Sequence, residues 1–112
     1  MEIKKWYVYL ADLNPQRGSE PGKGRPVVVV QTDLLNGVHP STVICPLTTN
    51  VQPEARTLRV HLAVGEAGLT RSSDVMVDQI RAIDNRRLLR PRGKIHRRSQ
   101  IKLAMNLRIL LA

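Results

Sequence analysis

Phenylalanine is absent from this 112-residue chain, and one tryptophan and two tyrosines are its only aromatic residues. Stacking platforms for bases or sugars are therefore scarce. A single cysteine, Cys45, leaves no partner for an internal disulfide, as expected of a cytosolic chain. Zinc lacks a ligand set as well, because His39, His61 and His96 lie far apart with no paired spacing. Neither a metal nor a cofactor is expected. No apolar run approaches the ~18 residues of a membrane span, and the amphipathic start "MEIKKWYVYL" is not followed by an A-x-A-like cleavage site. The glycines of "GSEPGKG" do not make a nucleotide-binding P-loop, since the G-x-x-x-x-G-K-[ST] order is missing and no helical pattern follows. A cytoplasmic, soluble protein is the expectation.

Acidic residues are also short, nine against eighteen basic ones, for a net charge of +9. The excess concentrates between positions 81 and 98, where eight arginines and lysines face only Asp84. Such a tract attracts a polyanion, either nucleic acid or an acidic protein. A hydrophobic share of 42% argues against disorder, and the length suits one domain spanning residues 1–112.

Periodicity predicts a mainly β domain. "WYVYLADL" (6–13) alternates as a first strand, and "VVVVQ" (27–31) is apolar throughout, as a strand buried on both faces would be. "TVICPL" (42–47) is a third strand, with Pro46 marking an edge or the strand's end. "TLRVHLAV" (57–64) turns Leu58, Val60 and Leu62 inward and Arg59 and His61 outward. "DVMVDQIRAID" (74–84) reads as a fifth strand and "RGKI" as a short sixth. From Ser99, a candidate N-cap, the apolar residues Leu103, Ala104, Leu107, Leu110 and Leu111 recur at helical spacing, with Lys102 and Asn106 on the opposite face. Five or six short strands closed by a helix suggest a small, partly open β-barrel.

Polar residues gather where the strands end: Glu20, Lys23 and Arg25 before the second, Thr48 and Thr49 after the third, Asp78 and Gln79 in the fifth. They read equally as a surface ion pair, turn formers and outward sheet residues. Cys45, inside an apolar strand, reads as a buried thiol rather than a nucleophile.

"GSEPGKGRPVVVVQTD", "CPLTTN" and "VDQIRAID", with the opening "VYLADLNP" and the C-terminal helix, resemble the MazF/PemK ribonucleases, toxins of bacterial toxin–antitoxin pairs. The resemblance runs over nearly the whole chain. It implies an SH3-like, partly open barrel of the CcdB/PemK type, assembled as a homodimer and inhibited by an acidic, partly disordered antitoxin. It implies metal-independent cutting of single-stranded RNA at short sequences, stopping translation and growth. Arg25 and Thr48 match the catalytic positions, with Glu20 in the adjoining loop. Met76 stands where some relatives carry an arginine, and Pro21 where many carry a polar residue.

Metal-free cleavage uses the RNA's own 2′-hydroxyl and leaves 2′,3′-cyclic phosphate and 5′-hydroxyl ends. Arg25 suits the developing charge on phosphorus and Thr48 suits donation to a non-bridging oxygen. Glu20 or Asp78 can accept the 2′ proton, Glu20 being nearer Arg25 in the chain. Lys23, Asn36, Thr49, Asp78, Gln79 and Arg81 are the expected RNA contacts. Two other readings stand beside this one: a CcdB-like toxin that binds gyrase, and an RNA-binding barrel without catalysis. "GRP" with "CPLTT" favours the ribonuclease, because a gyrase binder has no need of that pair.

Overall fold

A computed structural model describes residues 1–13 and 24–112. Seven strands precede one helix: β1 (Tyr7–Ala11), β2 (Arg25–Val29), β3 (Ser41–Thr48), β4 (Arg59–Leu62), β5 (Ser73–Met76), β6 (Arg81–Asp84), β7 (Leu88–Lys94) and α1 (Arg97–Leu111). All ladders are antiparallel, in the order β4-β5-β3-β2-β1-β7, with β6 also paired to β3. β4 and β7 end this path without pairing to each other, so the barrel is partly open.

The valines of β2 are buried on both faces, as their continuous apolarity predicts. Val28 packs with Val8, Cys45, Val60, Val75 and Leu103 inside the barrel. Val27 and Val29 point the other way, into a second cluster with Tyr9, Ile44, Ile83 and Leu88, onto which Ile3 and Leu13 pack. Successive side chains on a strand alternate in direction, so one strand pins two cores.

Several boundaries differ from the sequence reading. The expected fifth strand is two: β5 stops at Met76, a 3-10 turn takes Val77–Gln79, and β6 resumes at Arg81. β3 is therefore shared, bonding β6 at Ser41–Ile44 and β5 at Leu47–Thr48. Pro46 stands between those contacts, in the strand's interior rather than at an edge or end. The Val30 N–H donates to the Val43 carbonyl, and alternation from that pair turns the Pro46 nitrogen away from β2, toward the gap between β5 and β6. The missing N–H thus removes no ladder bond.

The short sixth strand is a full edge strand, β7, whose Arg90, Arg92 and Lys94 are exposed. Charges of this kind discourage pairing of an open edge. Leu58 is exposed rather than inward. His96, not Ser99, is the N-cap of α1. Ser99 is buried, and its hydroxyl donates to the Glu66 carboxylate at 2.7 Å, which also accepts the His96 N–H at 2.8 Å. Asn106, expected on a polar outer face, is buried and donates to the Arg56 carbonyl at 3.0 Å. Among the described residues no helix is long and apolar enough to cross a membrane.

Candidate active site

Arg25 opens β2 and Thr48 closes β3. The ladder pairs Val27 with Pro46, and two further steps bring Arg25 opposite Thr48. By alternation both side chains share the outer face, in a non-hydrogen-bonded pair where side chains lie closest. Gly24 makes this start possible, since a Cβ there would lie 2.8 Å from the Leu10 Cβ on β1. Arg25, Thr48, Thr49, Ser73 and Met76 line one cavity of about 340 Å³. The sequence reading put Arg25, Thr48 and Thr49 in one site, and the fold brings those three together.

Thr48 is oriented by the residues after it. Its Oγ1 accepts the Asn50 N–H at 3.1 Å, which uses a lone pair and leaves the hydroxyl proton for another acceptor. The Asn50 carbonyl in turn accepts from the Arg59 Nη1 at 3.1 Å, and the same nitrogen reaches Asp74 Oδ2 at 3.3 Å. Asp74 Oδ2 also accepts the Gln52 N–H at 2.8 Å. The side chain of Asp74 is 2% exposed and that of Arg59 16%. A desolvated ion pair therefore fixes the segment that carries Thr48 and Asn50.

Register places these groups in a row. Asp74 is opposite Thr48 on one side and opposite His61 on the other. His61 Nδ1 lies 3.1 Å from Asp74 Oδ1. A carboxylate oxygen accepts, so His61 Nδ1 is the donor of this contact, and Nε2 is the ring nitrogen on its far side. Arg25, Thr48, Asp74 and His61 thus run across β2, β3, β5 and β4 on one face. Arg59, His61 and Asp74 were missed as site residues. The outward alternation of β4 was legible, but the cross-strand partner that gathers them was not.

Other candidates lie elsewhere. Glu20 and Lys23 fall outside the described residues. Asp78 and Gln79 are exposed on the Val77–Gln79 turn, and Arg81 is exposed at the start of β6; none of the three lines the Arg25 cavity. Asn36 is engaged within its own loop. Its Nδ2 donates to the Gln31 carbonyl and to Asp33, and its Oδ1 accepts from Gln31 Nε2. The Lys5 N–H and then the Asn36 amide hold the Asp33 carboxyl below its ordinary range. Burial, with a smaller push from the charge of Asp78, raises the Cys45 thiol to about 12, so it is a protonated core group. Among the described residues no three His, Cys, Asp or Glu side chains converge as a metal site.

The fold and the sequence have known counterparts. A family model described as PemK-like, MazF-like toxin of type II toxin-antitoxin system matches residues 4–111. The chain is similar to Endoribonuclease EndoA of Bacillus subtilis (strain 168), 38% identical over 88 residues covering 79% of this chain and 76% of the relative. Among solved structures it superposes on MazF from Deinococcus radiodurans with a TM-score of 0.79 at 23% identity, covering 99% and 97% of the two chains. An endoribonuclease from Mycobacterial species, solved in complex with its cognate antitoxin, gives a TM-score of 0.78 at 20% identity, covering 97% and 94%. The chain belongs to the PemK-like, MazF-like toxins of type II toxin–antitoxin systems.

Proposed function

We propose that this toxin cuts single-stranded RNA without a metal, with Arg25 and Thr48 acting together on the scissile phosphate. The chain is an endoribonuclease of the MazF type. The observation that carries the mechanism is that Arg25 and Thr48, at the ends of neighbouring strands, line one cavity.

The substrate's 2′-oxygen forms a bond to phosphorus as the bond from phosphorus to the 5′-oxygen breaks. The products are a 2′,3′-cyclic phosphate and a 5′-hydroxyl. Charge accumulates on the non-bridging oxygens, where a planar guanidinium binds two oxygens at once and stays ionised. The Thr48 hydroxyl, its oxygen already held by Asn50, donates to one of them. Hydrogen bonds placed in advance at developing charge lower the barrier because they need no reorganisation.

The 2′ proton must leave. The described residues around the Arg25 cavity supply neither a carboxylate nor an imidazole, and an arginine is a poor base at neutral pH. We assign that proton to Glu20, and the departing 5′-oxygen takes up a proton from solvent to leave as the hydroxyl, so the proton count balances. Thr49, Lys23, Asn36, Asp78, Gln79 and Arg81 are the proposed contacts that read the RNA, Asn36 through the capacity left on its Oδ1. The exposed arginines of β7 suit either an RNA backbone or the acidic antitoxin that inhibits the enzyme. The protein works in the cytoplasm as a homodimer.

The test is incubation of purified protein with a long RNA in EDTA, followed by end mapping. Discrete cuts bearing cyclic phosphate ends are expected. RNA left intact under those conditions rejects the mechanism.

A further inference from the structure

A second cavity, about 350 Å³, opens on the same face beyond Asp74. Residues of the segment after β3, of β4 and of α1 bound it, and its cationic side chains are Arg56, Arg59 and Lys102. Asp74 is the only carboxylate among its lining residues, and its oxygens are already engaged by Gln52, Arg59 and His61. Three fixed positive charges against one engaged negative charge make this an anion-seeking cleft.

The cations differ in what they can still do. Arg59 is bound to Asp74 and to Asn50, so its part is to brace the wall. Arg56 and Lys102 are exposed. His61 forms part of the wall, with Nδ1 on Asp74 and a side chain 51% exposed. The cleft also lies in line with the catalytic pair: His61 is two strands from Thr48 in the same row, a span of about 10 Å at ordinary strand spacing. A strand bound at Arg25 and Thr48 reaches this cleft within a nucleotide or two.

We propose that this cleft is a second phosphate subsite, in which Arg56 and Lys102 hold a backbone phosphate of the RNA whose neighbouring linkage is cut between Arg25 and Thr48. The inference rests on the ribonuclease reading. RNA is favoured over an acidic peptide by the shared face and continuous row, which put the cleft on the path of a strand already seated at the catalytic pair. Arg56 and Lys102 lie on different elements, and Asn106 holds them in register by bonding the Arg56 carbonyl from one turn along α1.

The test uses an RNA methylated at every 2′-oxygen, which binds but has no proton to lose and is not cut. Affinity is titrated against salt for the wild type and for the Arg56→Gln/Lys102→Gln double variant. Neither substitution removes a partner of Asp74, so the double variant tests the cleft with the fold intact. The slope of log affinity against log salt is expected to fall by roughly 0.7 for each phosphate that the variant no longer neutralises. The drop in affinity is expected to be greater for a long strand than for one just spanning the catalytic pair. A slope and affinity unchanged in the double variant, with wild type still cutting ordinary RNA, overturn the subsite alone. Wild type that neither binds nor cuts RNA overturns the ribonuclease reading instead. A double variant that binds RNA normally but escapes inhibition by the acidic antitoxin overturns the subsite too, and gives the cleft to the protein partner.

Discussion

Arg25 stands opposite Thr48, two residues along β2 and β3 from the paired Val27 and Pro46. Both residues end strands whose neighbours are core: Val27, Val28 and Val29 behind the arginine, Ile44, Cys45 and Leu47 behind the threonine. Packed strands hold a functional group more closely than a loop does. The proposed catalytic pair is thus held by the best-buried part of the molecule, while its side chains stay at the surface.

Arg25→Lys is expected to fold as wild type does and to lose activity by about a hundredfold or more, the scale of removing one preorganised donor from developing charge. Lysine keeps the charge and loses the planar fork. Cleavage of RNA by initial rates, alongside a circular-dichroism melt, measures both halves. A folded Arg25→Lys enzyme cutting at the wild-type rate would take this residue out of the mechanism.

Arg59 and Asp74 are positioning residues for Thr48 in this scheme. Arg59→Lys keeps a charge for Asp74, but its side chain is one bond shorter than the one whose Nη1 serves the Asn50 carbonyl and the carboxylate together. Turnover is expected to drop about tenfold, on the order of 1.4 kcal/mol, with KM nearly unchanged. Thr48→Ala should bind RNA and cut slowly, and adding Arg59→Lys to it should cost little more, because the two act through one hydroxyl. Fully additive losses would mean that Arg59 serves something other than Thr48.

The sequence made one part of this site readable and hid the other for a physical reason. Arg25, Thr48 and Thr49 adjoin long apolar runs, so strand ends could be placed from composition alone. His61 and Asp74 lie thirteen positions apart and meet only because β4 and β5 pair in one register. Nothing local encodes that register. The break after Met76 was hidden because apolar residues stand on both sides of the Val77–Gln79 turn in "DVMVDQIRAID", with no glycine or proline to mark it. β7 was underestimated because its arginines and Pro91 disguise an edge strand that needs no apolar outer face. Asn106 looked like a surface residue on the helical wheel, yet it is buried against a loop carbonyl that the wheel does not show.

Cys45 should resist alkylation in the native protein. Burial lifts its thiol from an ordinary 9.0 to about 12, and the thiolate is the reactive form. As pH climbs past 9.0 the unfolded chain ionises first and then binds fewer protons than the folded chain. The stability linked to this thiol is therefore fully present below pH 9.0 and is lost between there and about 12. Labelling with iodoacetamide at about pH 8 is expected only after denaturant is added. Rapid labelling of the folded enzyme would contradict the burial on which this rests.

Dimerisation is the remaining expectation, and α1 supplies its surface. Leu103 is fully buried within the subunit, while Ile101, Met105 and Ile109, four residues apart, are 53%, 56% and 60% exposed. The helix therefore has one apolar face for its own barrel and a second that no other described residue covers. A two-fold pairing would lay one such stripe against its copy, the self-complementary arrangement of most dimers. Sedimentation at micromolar concentration should give the mass of two chains. Met105→Glu puts a charge at the middle of the stripe without touching Leu103, so it should sediment as one chain with unchanged helix content. A wild-type protein that stays monomeric would rule out this use of the helix. A Met105→Glu protein that stays dimeric would move the interface to another face of the barrel.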